Sequence, residues 1–129
     1  MKIYPITPVP KPRLTQRDKW KKRPVVLRYF AFKDECKTHK VELPKAGAHV
    51  IFVIPMPSSW SKKKREQMNG RPHMQRPDAD NLIKALGDSV YDEDCEIWNF
   101  QVSKFWGEQG RIIIKENIPQ TLNELLDVA

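Results

Sequence analysis

Asp78 and Asp80 stand two residues apart with Lys84 four further on, and these are the side chains best suited to chemistry in this chain. They open a run of nineteen residues, Asp78 to Glu96, that holds seven of the sixteen acids: Asp78, Asp80, Asp88, Asp92, Glu93, Asp94 and Glu96. Lys84 is the single base of that run, so its formal charge is −6, while the remainder, with 22 bases and 9 acids, carries +13. A basic remainder attracts a polyanion and a knot of carboxylates repels one. A hard divalent cation held between carboxylate and phosphate oxygens resolves the conflict. Two or three carboxylates would hold one or two magnesium ions against a phosphodiester, activating a water and neutralising charge on the leaving oxygen. Lys84 would hydrogen-bond the scissile phosphate or orient the attacking water. Asp78 and Asp80 lead the candidates, Asp94 follows, and Glu96 reads as solvent-facing. The same acids also suit a helix cap and a solvated turn, with no metal at all.

These residues need elements that bring them together. In an extended approach Asp78 and Asp80 leave the same face. Asp80 suits the N-cap of a helix over 81–90, with Leu82, Ile83 and Leu86 as its apolar face. Lys84 then lies one turn beyond Asp80 and Asp88 two turns beyond, on one stripe. The turn 91–96 returns Asp92, Glu93 and Asp94 toward the helix start only if the next strand runs beside the segment that precedes the helix.

Elsewhere, residues 2–9 read as extended, with Pro5 and Pro8 pushing this strand to a sheet edge. Residues 10–24 are basic (Lys11, Arg13, Arg17, Lys19, Lys21, Lys22, Arg23) and read as a solvated arm or a phosphate-binding segment. Val25, Tyr29, Phe32 and Cys36 mark one face of a helix from Pro24 to near His39. Ala48–Ile54 predicts a strand buried on both faces. Ser58 or Ser59 suits the cap of a polar helix through Met68 that carries Lys62, Lys63, Lys64 and Arg65, before Asn69-Gly70 turns the chain toward Arg71 and Arg76. From Trp98 the pattern alternates, with Trp98, Phe100 and Val102 on one face and Asn99, Gln101 and Ser103 on the other. Gly107 to Gly110 then lead into Arg111–Lys115, which predicts an antiparallel hairpin. Thr121 to Glu124 is a capping box for a last helix bearing Leu122, Leu125 and Leu126.

The 129 residues suit one domain, 1–129, with 58–76 as a basic helix-and-loop insertion ahead of the acidic run. Forty per cent apolar and 30% charged residues argue against disorder, and a net charge of +7 favours nucleic acid over an anionic membrane surface. No apolar run approaches the ~18 residues of a membrane span, and the start Met-Lys-Ile-Tyr-Pro has no apolar signal core, so a cytosolic protein is expected. Cys36 and Cys95 read as buried free thiols. Cys36 and His39 lack a second pair in His49 and His73, which argues against zinc.

The run Asp78-Ala-Asp80-Asn81-Leu82-Ile83-Lys84, followed by Gly87-Asp88 and Tyr91-Asp-Glu-Asp94, resembles the RusA family of small Holliday junction resolvases found in phages and prophages. The opening strand, Lys11-Pro-Arg13 and the chain length suit that family too. The resemblance implies an α/β fold with a mixed four-stranded sheet and helices packed on it. It implies a homodimeric, magnesium-dependent endonuclease, with manganese as a substitute ion, that nicks four-way DNA junctions symmetrically in recombination and repair. It further implies a phage- or prophage-encoded protein of the bacterial cytoplasm, with no membrane and no small-molecule cofactor. Carried across, Asp78 and Asp80 match the first metal-binding acids, Lys84 the catalytic lysine and Asp94 the third acid. Asn81, Asp88 and Glu93 fall in supporting positions, and Asp92 is the alternative ligand if the turn is shifted by two.

A junction has approximate two-fold symmetry, which suits an isologous dimer. Phe100, Phe105, Trp106 and Ile112–Ile114 are interface candidates, in competition with core packing. Lys11, Arg13, Arg17, Lys62, Lys63, Lys64, Arg65, Arg71 and Arg76 would track phosphates. Two other readings are a non-catalytic, basic nucleic-acid-binding phage protein and a metal nuclease acting on other branched DNA or RNA.

Overall fold

A strand that is apolar on both faces gains most in the middle of a sheet, and the computed structural model puts β2 (Ala48–Pro55) there. The structure describes residues 1–19, 21–44, 47–90, 98–118 and 120–127, with the side chains of Arg17 and Lys19 outside that set. On one side β2 pairs in parallel with β3 (Phe100–Gly107), from Ala48 opposite Phe100 to Pro55 opposite Gly107. On its other side it pairs antiparallel with β4 (Arg111–Glu116), and β1 (Lys2–Tyr4) closes that edge antiparallel to β4. The result is a mixed four-stranded sheet in the order β1-β4-β2-β3, within an α/β fold.

The expected hairpin between β3 and β4 is not formed. The two strands are antiparallel, but β2 lies between them, and residues 108–110 pass around its end. A short glycine-flanked connection serves either arrangement. Inserting β2 gives its backbone a ladder on both sides and removes its apolar faces from an exposed edge. The third strand also starts later than the alternation predicted, since Trp98 precedes it, and Trp98 and Phe100 are both exposed.

Helix α1 (Pro24–Thr38) and helix α3 (Ala79–Val90) form the second layer. Tyr29, Phe32 and Cys36 of α1 and Leu82, Ala85 and Leu86 of α3 share one core with Val50, Phe52, Ile112 and Ile114 of the sheet. Only the first turn of α1 departs from the predicted stripe. Val26 is buried, while Val25 is exposed and lines a groove with Pro8, Pro10 and Arg28.

The short helix α2 (Lys62–Met68) starts later than Ser58 or Ser59, because Trp60 donates its amide to the Pro57 carbonyl in a turn. Ser61 is its cap, accepting from the Lys64 amide at 3.2 Å. Helix α4 (Leu122–Leu126) begins as predicted, with the Thr121 hydroxyl accepting from the Glu124 amide, yet Leu122, Leu125 and Leu126 are all exposed. Among the described residues no helix is long and apolar enough to cross a membrane.

Candidate active site

Helix α3 opens at Asp78, whose carbonyl accepts from the Leu82 amide at 3.2 Å. Asp78, rather than Asp80, therefore holds the cap position, and Asp80 sits in the first turn. The apolar stripe Leu82, Ala85, Leu86 faces the core, which leaves Asp80 and Lys84 on the exposed side. Two acids at a helix N-terminus are favoured by its partial positive charge, so the backbone tolerates the cluster here. Asn81, in the same turn, is half-buried.

The basic segment before α1 is not a loose arm. Asp18, in a 3-10 turn over Gln16–Lys19, is buried and accepts from the Thr15 amide (2.8 Å) and hydroxyl (3.0 Å). The Arg23 guanidinium completes the knot, reaching one Asp18 oxygen through Nε and the other through Nη2, each at 3.1 Å, and the Arg13 carbonyl at 2.6 Å. That guanidinium, followed by the Thr15 amide, holds the Asp18 carboxyl well below the usual carboxylate range. One acid among seven bases is easily passed over in the sequence, but its burial folds the segment into a fixed shape.

The segment is also docked on α3. The Lys11 amide donates to the Asn81 carbonyl at 3.3 Å, and the Lys11 ammonium pairs with Asp88 at 2.5 Å. Asp88 therefore meets Lys11 rather than Lys84, and lies against buried Tyr29 of α1, whose hydroxyl pKa is pushed up by burial and then by that carboxylate. Asp88 thereby links the N-terminal segment to both helices. Pro10, Lys11, Arg76, Pro77, Asp78 and Asn81 line an open cleft of about 500 Å³. Asp78 thus shares this cleft with the exposed side chain of Arg76, while the Lys11 ammonium is engaged by Asp88.

The other wall is built on the outer edge of β3. The Gly70 amide donates to the Trp106 carbonyl (2.8 Å), the Trp106 amide to Arg71 (2.9 Å) and the His73 amide to Lys104 (3.0 Å). The strand that follows the acidic turn thus runs antiparallel beside the segment that precedes α3, which is the arrangement the convergence of acids requires. Tilted rings pack across this join. His73 lies 4.2 Å from Trp106, Trp106 lies 4.8 Å from Trp60, and the Lys64 ammonium sits 4.3 Å over Trp60. The basic helix α2 is thereby mounted on β3, with Lys62, Lys63 and Lys64 exposed, and Arg65 bonded to the Pro57 carbonyl. Lys104, which the sequence reading passed over, donates to the carbonyls of Gln75 (2.8 Å) and Pro77 (2.9 Å) on either side of Arg76.

Asp92, Glu93, Asp94, Cys95 and Glu96 lie outside the described residues, as does Trp20. Among the described residues no three His, Cys, Asp or Glu side chains group as a metal site. Asp78 and Asp80 offer two exposed carboxylates and no sulfur or imidazole, a donor chemistry that fits a hard cation such as magnesium or manganese. Cys36 is a buried free thiol, its pKa pushed up to about 11 chiefly by burial. Of the interface candidates, Trp106, Ile112 and Ile114 belong to the buried interior, while Phe100 is exposed.

The mixed four-stranded sheet thus carries an Asp-x-Asp helix start beside a cleft that Arg76 also lines. The family is specific: the profile of Endodeoxyribonuclease RusA matches residues 5–116, and the chain belongs to that family. A segment of 66 residues is 32% identical to the uncharacterized protein YqaN of Bacillus subtilis (strain 168), covering 45% of this chain and 46% of that protein. The chain thus matches less than half the length of that relative. No solved structure matches it.

Proposed function

We propose that this protein is a magnesium-dependent, structure-selective endodeoxyribonuclease that resolves four-way DNA junctions by paired symmetric nicks. The observation that carries the reading is the placement of Asp78 and Asp80 at an exposed helix start, with Asp78 lining a cleft together with exposed Arg76. Membership of the RusA endodeoxyribonuclease family supplies the substrate class. Asp78 and Asp80 would hold the cation, with Asp94 as the third acid. A divalent ion bound there would polarise the phosphate and lower the pKa of a water nucleophile. Lys84, one turn from Asp80 on the exposed side of α3, would orient the phosphate or the water with its ammonium. Arg76, Arg71 and the lysines of α2 would hold the flanking strands through phosphates, giving affinity without sequence choice.

A homodimer fits the two-fold symmetry of a junction and would present two such sites. Exposed Trp98, Phe100, Ile118 and the α4 leucines supply apolar surface beyond what a small monomer needs to show. Light scattering at micromolar concentration tests the dimer, and a monomer would remove it.

The decisive experiment is cleavage of a synthetic four-way junction. Wild type should cut with magnesium and stop with EDTA, while Asp80→Asn binds the junction and leaves it intact. Equal cutting by both would remove the assigned site. EDTA-tolerant binding with no cleavage in magnesium or manganese would instead leave a non-catalytic DNA-binding protein, and preference for flaps or RNA in a substrate panel would change the substrate.

A further inference from the structure

We propose that Lys104 is a positioning residue for the metal-binding carboxylates, an inference that rests on the nuclease reading above. The backbone of Lys104 is fixed first. It lies in β3 opposite Phe52 of the central strand, and its carbonyl accepts the His73 amide from the segment along the outer edge. From that anchor the side chain runs along the edge and its ammonium donates to Gln75 and Pro77. The second of these carbonyls belongs to the residue immediately before Asp78, and the Asp78 carbonyl itself accepts the first hydrogen bond of α3. The peptide that carries the Asp78 side chain is therefore held from both sides, by Lys104 on the strand and by Leu82 on the helix.

A loop carbonyl left to water would let residues 75–78 swing as a hinge between the strand edge and the helix. An ammonium has three donors and no acceptor, so it ties two carbonyls at once without competing for the cation. Charge-assisted bonds of this kind are stronger than those between neutral groups. Groups that orient metal ligands from behind influence metal affinity and rate without touching the ion.

The test compares wild type with Lys104→Met and Lys104→Arg, reading manganese affinity without DNA by electron paramagnetic resonance, junction affinity in EDTA, and single-turnover cleavage across a manganese titration. Lys104→Met should bind the junction in EDTA within about twofold of wild type, yet lose roughly 10–100-fold in manganese affinity. Its cleavage should recover in part at high manganese. Hydrogen exchange should quicken in the peptide 74–82, and Lys104→Arg, which restores charge and donors, should recover most of the metal affinity. Should Lys104→Met fail to fold by circular dichroism, Lys104→Gln carries the same comparison. Unchanged manganese affinity in a folded variant would overturn the proposal. So would a loss of junction affinity and salt slope alone, which would make Lys104 a DNA contact. A wild type that neither binds manganese nor cuts would overturn the nuclease reading and this proposal together, whereas a wild type that does both beside an indistinguishable Lys104→Met removes Lys104 alone.

Discussion

The Lys11 ammonium lies 2.5 Å from an Asp88 carboxylate oxygen, so the N-terminal segment is fastened across α3 at the far end from Asp78. Both side chains are partly exposed, at 40% and 30%, and solvent screening keeps the pair weak. We expect a coupling of about 0.5 kcal/mol, and no more than about 1 kcal/mol, between Lys11→Met and Asp88→Asn in a double-mutant cycle of urea unfolding. A coupling near zero would mean that the backbone contact from Lys11 to Asn81 holds the segment by itself.

Asp18 ties the basic segment together, and its stability contribution has a defined sign. An ordinary carboxyl titrates near 3.9 in the unfolded chain, and the Arg23 guanidinium with the Thr15 donors holds the folded value below that. Between the two values the unfolded state binds more protons, so stability falls as pH falls. Asp18→Asn should therefore be less stable than wild type at pH 7. The gap should persist to about pH 4 and shrink below it. Urea midpoints at matched ionic strength from pH 7 to 3 check this, and a gap that is flat down to pH 3 would contradict it.

Much of this architecture is written in local patterns. The β-branched run Ala48–Ile54 marks the central strand, and the stripe Leu82, Leu86 marks the buried face of α3, because burial there follows simple periodicity. Partner choice is not local. The alternation after Trp98 and the glycines at 107 and 110 read as a hairpin, whereas β2 takes the place between the two strands through contacts far apart in sequence. Within the candidate site, the spacing of Asp78, Asp80 and Lys84 predicts a shared helix start, and the structure puts all three, exposed, at or near the start of α3. Asp18 meets Thr15 and Arg23 close by in sequence but is a lone acid in a basic segment. Lys104 is not legible from spacing, since it bonds carbonyls that only the fold brings near. Asp88 shows the same limit: its helical spacing pairs it with Lys84, and the fold gives it to Lys11.

His73 is 4% exposed and its Nδ1 finds no partner among the described residues. Burial, then the Lys104 charge, pushes its pKa below the usual histidine value. Protonation thus favours the unfolded chain, and stability should drop as pH falls below about 6.5, toward the lower folded value. His73→Phe keeps a ring against Trp106 and removes both the titration and the orphaned nitrogen. We expect its stability relative to wild type to rise as pH goes from 7 to 5, measured by urea unfolding. A difference that does not vary with pH would place His73 at its ordinary pKa.

The α2 lysines give a salt signature. Lys64 rests over Trp60, which presents its charge on a fixed helix rather than a mobile loop. If that helix meets DNA, Lys64→Ala should weaken junction binding modestly and reduce the slope of log affinity against log salt by about 1. Fluorescence anisotropy in EDTA from 50 to 250 mM salt, roughly the range where counterion release dominates, reads the slope. An unchanged slope would take Lys64 off the DNA path.

Two glycines separate crowding from conformation. At Gly110, where the chain enters β4 after rounding β2, a Cβ would come within 2.7 Å of the Thr7 Cα, a backbone atom that cannot rotate away. At Gly70 a Cβ meets nothing within 4 Å, but φ is +80°, which L side chains rarely adopt. Gly70→Ala should therefore cost about 1 kcal/mol from backbone strain alone. Gly110→Ala should cost more, about 1–3 kcal/mol, because the crossover and the N-terminal segment must separate to admit a methyl. The two effects should also differ in place. Thr7 lies four residues before Lys11, so displacing it loosens the segment that lines the cleft beside Asp78. Hydrogen exchange in residues 5–12 should quicken in Gly110→Ala and stay at the wild-type rate in Gly70→Ala. Equal exchange in both variants would show that the segment is held by the Asp18 knot and the Asn81 contact, independently of its packing under the crossover.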